Sequence, residues 1–207
     1  EATPWKTLVK VGRQSFQPGD LILLKRGETW EDNLKVKEDW DGTAANPITF
    51  SAYGSGADPV IRQLTILGDY IVFENMVVDH NRDSSYGVRV KGGRNCVLRN
   101  VTARNGTWNG IQAVDANGLL IDGCLIHHFL AGSFANQADA HGIVAEDTQG
   151  LTIRNTEIHH VSGDSFQTDP DRDNDLPDDI LIEDCHFWTG PLTEDFNAGW
   201  RAGERPG

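Results

Sequence analysis

Residues 151–169, LTIRNTEIHHVSGDSFQTD, repeat in outline what residues 119–134, LLIDGCLIHHFLAGSF, state 32 residues earlier, down to a histidine pair at the same offset. An echo at this spacing bears on the fold before any local propensity does, because self-similarity with a period of about 20–50 residues marks a repeat architecture. Aligned on one polar or glycine residue, five segments fall under one another: IVFENMVVDH on Asn75, CVLRNVTARN on Asn100, LLIDGCLIHH on Gly123, LTIRNTEIHH on Asn155 and ILIEDCHFWT on Asp184. Ile71, Cys96, Leu119, Leu151 and Ile180 share one apolar column. Phe73, Leu98, Ile121, Ile153 and Ile182 share a second, and Val78, Ala103, Ile126, Ile158 and Phe187 a third.

Alternation of period two on both sides of the anchor predicts two short strands with a bend between them. A third strand follows in four copies, GVRVKG, GIQAVD, GIVAED and SFQTD, with Val88, Ile111, Ile143 and Phe166 in register. Three short strands per copy, with no helical pattern between copies, exclude helical solenoids and predict parallel strands stacked coil upon coil. A β-sandwich with chance similarity is the alternative, but sandwiches alternate without fixed columns.

This pattern resembles the right-handed parallel β-helix of pectate lyases, polygalacturonases and chondroitinase B. The aligned Asn75, Asn100 and Asn155 look like the asparagine ladder at that fold's tight bend, where a side-chain amide can bond to the backbone of the next coil. The expected fold is all-β, a single domain over residues 1–207. Residues 1–64 form a cap and the first coils, 65–190 the regular coils, and 191–207 a tail that looks cut. In TPWKTLVKV, Thr3 as N-cap and Pro4 at the first helical position predict a short amphipathic helix over the open end of the coil. The last coil, ILIEDCHFWTG, has no recognisable cap, which leaves its apolar end for a folded-back tail, a chain-end contact or self-association.

Composition narrows the partners. The chain has 31 acidic and 18 basic residues and a net charge of −13, which disfavours nucleic acid and anionic membranes, both of which need a basic surface. No apolar run approaches the length of a membrane span, so membrane insertion is not expected. Cys96, Cys124 and Cys185 are too few and too far apart for a disulfide framework and read as small buried apolar residues. The family resemblance implies a secreted or periplasmic protein acting on an extended polysaccharide; no leader precedes Glu1 in this sequence.

The outward columns of the third strand carry the candidate chemistry. Arg89, Gln112, Val144 and Gln167 form one, and Lys91, Val114, Glu146 and Asp169 the next. Glu146 and Asp169 become neighbours, and two adjacent carboxylates invite a shared proton or a hard cation such as calcium. Asp171 and Asp173 follow in DPDRDND and extend that metal set. Asn174 stands where an EF-hand needs glycine, so the loop is not one, and a solvated acidic loop is the plain alternative. His141 and Asp164 share a column with Tyr86 and Asn109, ahead of the strand, and are candidates for an acid–base couple. The insertion at 129–140 can wall a groove, and Trp108 can stack on a sugar face.

A calcium-assisted β-elimination would use Lys91 or His141 as base, with Arg89 holding a uronate carboxylate and Asp164 beside His141. Trp108, Asn109, Gln112 and Gln167 would bind substrate, and Glu146, Asp169, Asp171 and Asp173 would hold calcium. Hydrolysis by paired carboxylates, and a non-catalytic carbohydrate-binding surface, are the rival readings. The histidine pairs 127/128 and 159/160 stack in adjacent coils and read as a structural ladder, with one member of each pair facing outward.

Overall fold

A computed structural model describes residues 4–83, 86–169, 178–190 and 192. Its strands assemble into one large parallel sheet that winds into a right-handed helix with three faces. Each face is a stack in which every coil pairs with the one before and the one after.

The first face runs through the register partners Ile22, Phe50, Phe73, Leu98, Ile121, Ile153 and Ile182. The second runs through Trp30, Ile61, Val78, Ala103, Ile126, Ile158 and Phe187. The third runs through Leu34, Leu64, Val88, Ile111, Ile143 and Phe166. The expected columns through Phe73, Val78 and Val88 are therefore columns in space, and the first of them extends back to Ile22. Side chains that point inward from the three faces meet as a continuous core, with Phe73, Leu98, Ile121, Ile126, Ile143, Ile153 and Ile158 fully buried.

The bend between the first two faces is made by residues in the left-handed region: Asn75 (φ 57°), Asn100 (50°), Gly123 (66°), Asn155 (50°) and Asp184 (50°). Asparagine, aspartate and glycine are the residues that tolerate this conformation, which explains the anchor column. The ladder differs from expectation in its partners. Asn100 Nδ2 donates to Asn75 Oδ1 (3.2 Å), Asn75 Nδ2 to Ser51 Oγ (3.3 Å) and Asn155 Nδ2 to Asp122 Oδ1 (2.9 Å). The amides bond to side chains of the preceding coil, because the backbone groups there are already used by the sheet. At Gly123 the rung is missing, and a Cβ built there would lie 2.7 Å from Asn100 Oδ1.

The N-terminal cap is a helix, Leu8–Val11, shorter and later than the sequence suggested. Thr7, not Thr3, is its N-cap, with Oγ1 accepting from the Lys10 N–H, and Pro4 precedes it outside regular structure. Leu8 and Val11 are buried, and Phe16 packs edge-on against Trp40 at 4.7 Å between ring centres. At the other end the column opens. Ile182, expected to be buried, is 40% exposed, because among the described residues Leu181–Glu183 pairs only with Thr152–Arg154. The tail beyond residue 192 lies outside the described residues.

Cys96, Cys124 and Cys185 are free thiols in the bends, each donating to a main-chain carbonyl of the preceding coil: Gly68, Leu98 and Ile153. Burial pushes the Cys96 and Cys124 thiols up to about 12, so both stay protonated and inert. Among the described residues no helix is long and apolar enough to cross a membrane.

Candidate functional site

The third face is built from four-residue strands, Val88–Lys91, Ile111–Val114, Ile143–Glu146 and Phe166–Asp169. Their first and third residues point into the core, so the second and fourth must point out. A glycine enters three of these strands because the chain is pressed against its neighbours: a Cβ at Gly142 would lie 2.5 Å from the Ser165 carbonyl oxygen. The outward residues floor a groove of about 520 Å³. Nine of the sequence candidates line it together: Arg89, Lys91, Trp108, Asn109, Gln112, His141, Glu146, Gln167 and Asp169.

The register makes the groove's charge directional. Arg89 pairs with Gln112, which pairs with Val144, which pairs with Gln167; Lys91, Val114, Glu146 and Asp169 form the parallel column. Both lining cations lie on one coil. Glu146 is two strands away from Lys91, about 10 Å along the stack, and Asp169 three, about 14 Å. The residues expected to act as base and as calcium ligands are thus set apart. Asp139, on the 129–140 insertion, adds a third carboxylate to the acidic end. Among the described residues Asp139 is the insertion's one contribution to the groove lining, and the insertion is held by the antiparallel pair Ala131–Gly132 and Gln137–Ala138.

At the basic end, the Arg89 guanidinium lies 4.9 Å from the centre of the Tyr86 ring, and Trp108 meets that ring edge-on at 6.2 Å. A cation over an aromatic face is held in place without spending its N–H donors. Trp108 stays 45% exposed, which leaves ring area for a ligand. Arg89 Nε is buried and makes no hydrogen bond.

Mid-groove, Gln112 is only 4% exposed; its Nε2 donates to Glu146 Oε1, and its Oε1 is left without a partner. Gln167 Oε1 is likewise buried and unpartnered. Such atoms are rare in folded proteins and call for a water or a ligand.

His141 and Asp164 are adjacent, but not as a carboxylate–imidazole couple. The Asp164 main-chain N–H donates to His141 Nδ1 at 2.9 Å, while the carboxylate stands 3.8 Å from that nitrogen and is itself 72% exposed. With Nδ1 accepting, the neutral ring carries its hydrogen on Nε2, so His141 serves as a donor. The His141 main-chain N–H in turn donates to Asn109 Oδ1 at 3.1 Å, which ties Asn109 to the strand entry.

Glu146 and Asp169 are direct register partners, as expected. Among the described residues no three His, Cys, Asp or Glu side chains gather as a metal site, and Asp171 and Asp173 lie outside the described residues. Two residues were not assigned roles from the sequence. Tyr86 was visible in the His141 column, but its contact with Arg89 was not. Asp139 sits in an insertion with no repeat to align.

The histidine pairs lie on the second face. His127 stacks on His159 (5.1 Å, 10°), and His159 on Trp188 (4.6 Å, 21°); behind them His128 stacks on His160 (5.1 Å, 18°). His127 and His159 are the outward members, although Trp188 covers His159. Burial, foremost, holds His128 and His160 below the usual imidazole range, and for His128 the neighbouring imidazoles and Arg104 add to it.

A profile for the family described as "Right handed beta helix region" matches residues 64–190. A lacto-N-biosidase of Bifidobacterium longum subsp. longum is 39% identical over 72 residues, which is 33% of this chain and 4% of the enzyme. Pectate lyase Pel9A superposes with a TM-score of 0.62 at 18% identity, over 76% of this chain and 43% of that one. An alginate lyase from Paenibacillus sp. str. FPU-7 gives 0.55 at 16% identity, over 82% and 70%. At these identities the structural likeness is a likeness of fold. The chain spans a small fraction of the curated relative and less than half of the pectate lyase.

Proposed function

Since this chain belongs to the right-handed β-helix family, we propose that its third-face groove binds an extended, uronate-containing polysaccharide and serves β-elimination at the coil that carries Tyr86, Arg89 and Lys91. The observation that carries this reading is that Arg89 and Lys91 stand two residues apart on one strand, facing the same side, with Tyr86 beneath Arg89. That spacing lets one sugar meet both. Arg89 pairs with the uronate carboxylate and stabilises the charge that builds on it when the C5 proton leaves. Lys91 takes that proton; the C4–C5 double bond forms as the C4–O4 bond breaks, and the leaving oxygen receives a proton from Tyr86 or from water. Trp108 supplies a ring face for the sugar. The likeness of fold to proteins named pectate lyase and alginate lyase agrees with this reading.

Calcium, which Glu146, Asp169, Asp171 and Asp173 were expected to hold, has a narrower place here. Two to three coils from Lys91, it would neutralise a different sugar of the same polymer, and Arg89 does that work at the reacting unit. Calorimetric titration with calcium tests for the ion.

Hydrolysis is the second reading. The Glu146–Asp169 pair has a strand spacing of about 4.8 Å, close to the roughly 5–5.5 Å between carboxyl groups of retaining glycosidases. The curated relative bears a glycosidase name. Incubation with polyuronate and mixed polysaccharides separates the readings. Elimination gives the ultraviolet absorbance of an unsaturated uronate, lost in Lys91→Ala and Arg89→Ala. Hydrolysis gives reducing ends without it, lost in Glu146→Gln. Saturable binding without turnover leaves a binding surface alone.

A further inference from the structure

The groove has a polarity, and the polarity specifies a ligand. Both cations that line it, Arg89 and Lys91, lie on one coil, and the carboxylates Asp139, Glu146 and Asp169 lie two to three coils further along. Among the described residues no lining cation pairs with Glu146, which accepts from the Gln112 amide.

The unpartnered atoms of the floor mark where a ligand meets it. Arg89 Nε is a donor without an acceptor. Gln112 Oε1 and Gln167 Oε1 are acceptors without donors. The orientation of the Gln112 amide is fixed chemically, since only Nε2 can face the Glu146 carboxylate, so its free atom is the oxygen. An ionised carboxylate satisfies Arg89 but has no hydrogen to give the Gln112 and Gln167 oxygens. A sugar hydroxyl or N-acyl N–H satisfies both glutamines. Val144, between the two glutamines, offers only an apolar surface.

We infer that the groove is built for a mixed polymer, an acidic sugar seated at Arg89 and Lys91 followed by uncharged, hydrogen-bond-donating sugars along Gln112 and Gln167 to Glu146 and Asp169, and not for a homopolymer of uronates. This rests on the reading of the groove as a polysaccharide site. A homopolymer lying along the floor must bring a second carboxylate to within a strand spacing or so of Glu146 or Asp169, where repulsion counts against it.

The test is calorimetric titration of the full chain, in chelator, with two tetrasaccharides: an all-uronate one, and one alternating uronate with neutral or N-acetylated sugar. The mixed ligand is expected to bind about tenfold tighter or more. The double variant Glu146→Gln, Asp169→Asn, with an unchanged melting temperature, is expected to raise all-uronate affinity about tenfold and close the gap. Gln112→Val is expected to weaken the mixed ligand. Equal or tighter binding of the all-uronate ligand, or no change in preference in the double variant, overturns the inference while leaving a polysaccharide groove in place. The same holds if millimolar calcium makes the all-uronate ligand the preferred one. Binding of neither tetrasaccharide overturns this inference and the proposed function together.

Discussion

Two outward-facing columns run side by side along this molecule, and they differ in what stacks on what. On the second face, His127, His159 and Trp188 lie ring on ring, and His128 lies on His160. On the third face, Arg89, Gln112, Val144 and Gln167 occupy equally regular positions, yet three of the four leave a buried polar atom without a partner. Like rings in successive coils stack on one another, so the histidine column is architecture. Where residue type changes at each coil the column cannot close on itself, and the unmet bonds face a groove.

The interior beneath both columns is the same, and this gives the largest expected effect. Ile158 under the histidine ladder and Ile143 under the groove are both fully buried. Replacing either by alanine is expected to cost about 2–5 kcal/mol in denaturant unfolding, because each leaves a cavity in a close-packed stack. A loss below about 0.5 kcal/mol at one of them would mean that the two faces do not share a core.

Acid comes next and separates the faces. Burial holds the His128 and His160 imidazoles below their ordinary value, so the native state resists protons that the unfolded chain accepts. Stability is then complete above about pH 6.5 and falls as pH drops below it, by up to about 1.4 kcal/mol per pH unit for each histidine. His80, in the same inward line and also lowered chiefly by burial, contributes with the same sign. Asparagine is already accepted at the equivalent Asn105, also in the left-handed region. The double variant His128→Asn, His160→Asn should therefore flatten the melting temperature between pH 6.5 and 5, and an unchanged slope would place the acid sensitivity elsewhere.

The smallest effect on stability belongs to the groove. Gln167→Val extends the apolar surface of Val144 and removes an unpartnered oxygen, so stability should change by less than about 0.5 kcal/mol while saccharide binding weakens. A large loss of stability would make Gln167 part of the architecture after all.

What the sequence disclosed, and what it did not, follows the same division. The columns were readable because burial in a coil of fixed register forces apolar residues to recur, and Phe73 to Ile153 carry that pressure at every coil. Ile182 broke the rule because its burial depends on a further neighbour, which a sequence column does not reveal. The cap was misplaced because Thr3 and Thr7 offer the same hydroxyl; only the chain's path selects Thr7. Nine groove residues were found through register alone. The Tyr86–Arg89 contact, the use of the Asp164 main chain instead of its carboxylate, and Asp139 were not, since side-chain direction and non-repeating insertions leave no periodic trace.

The central claim is that saccharides meet the third face and not the histidine ladder, and one tryptophan reports on each, Trp108 in the groove and Trp188 on the ladder. Nitrogen-15 correlation spectra resolve indole signals separately, and the chain has six tryptophans. On titration with the mixed tetrasaccharide, the Trp108 indole signal should move in a saturable way, while that of Trp188, held against His159 and donating to Glu157 Oε1 at 3.0 Å, should stay where it is. A shift of Trp188 with Trp108 unmoved, or no shift of either, would contradict the account.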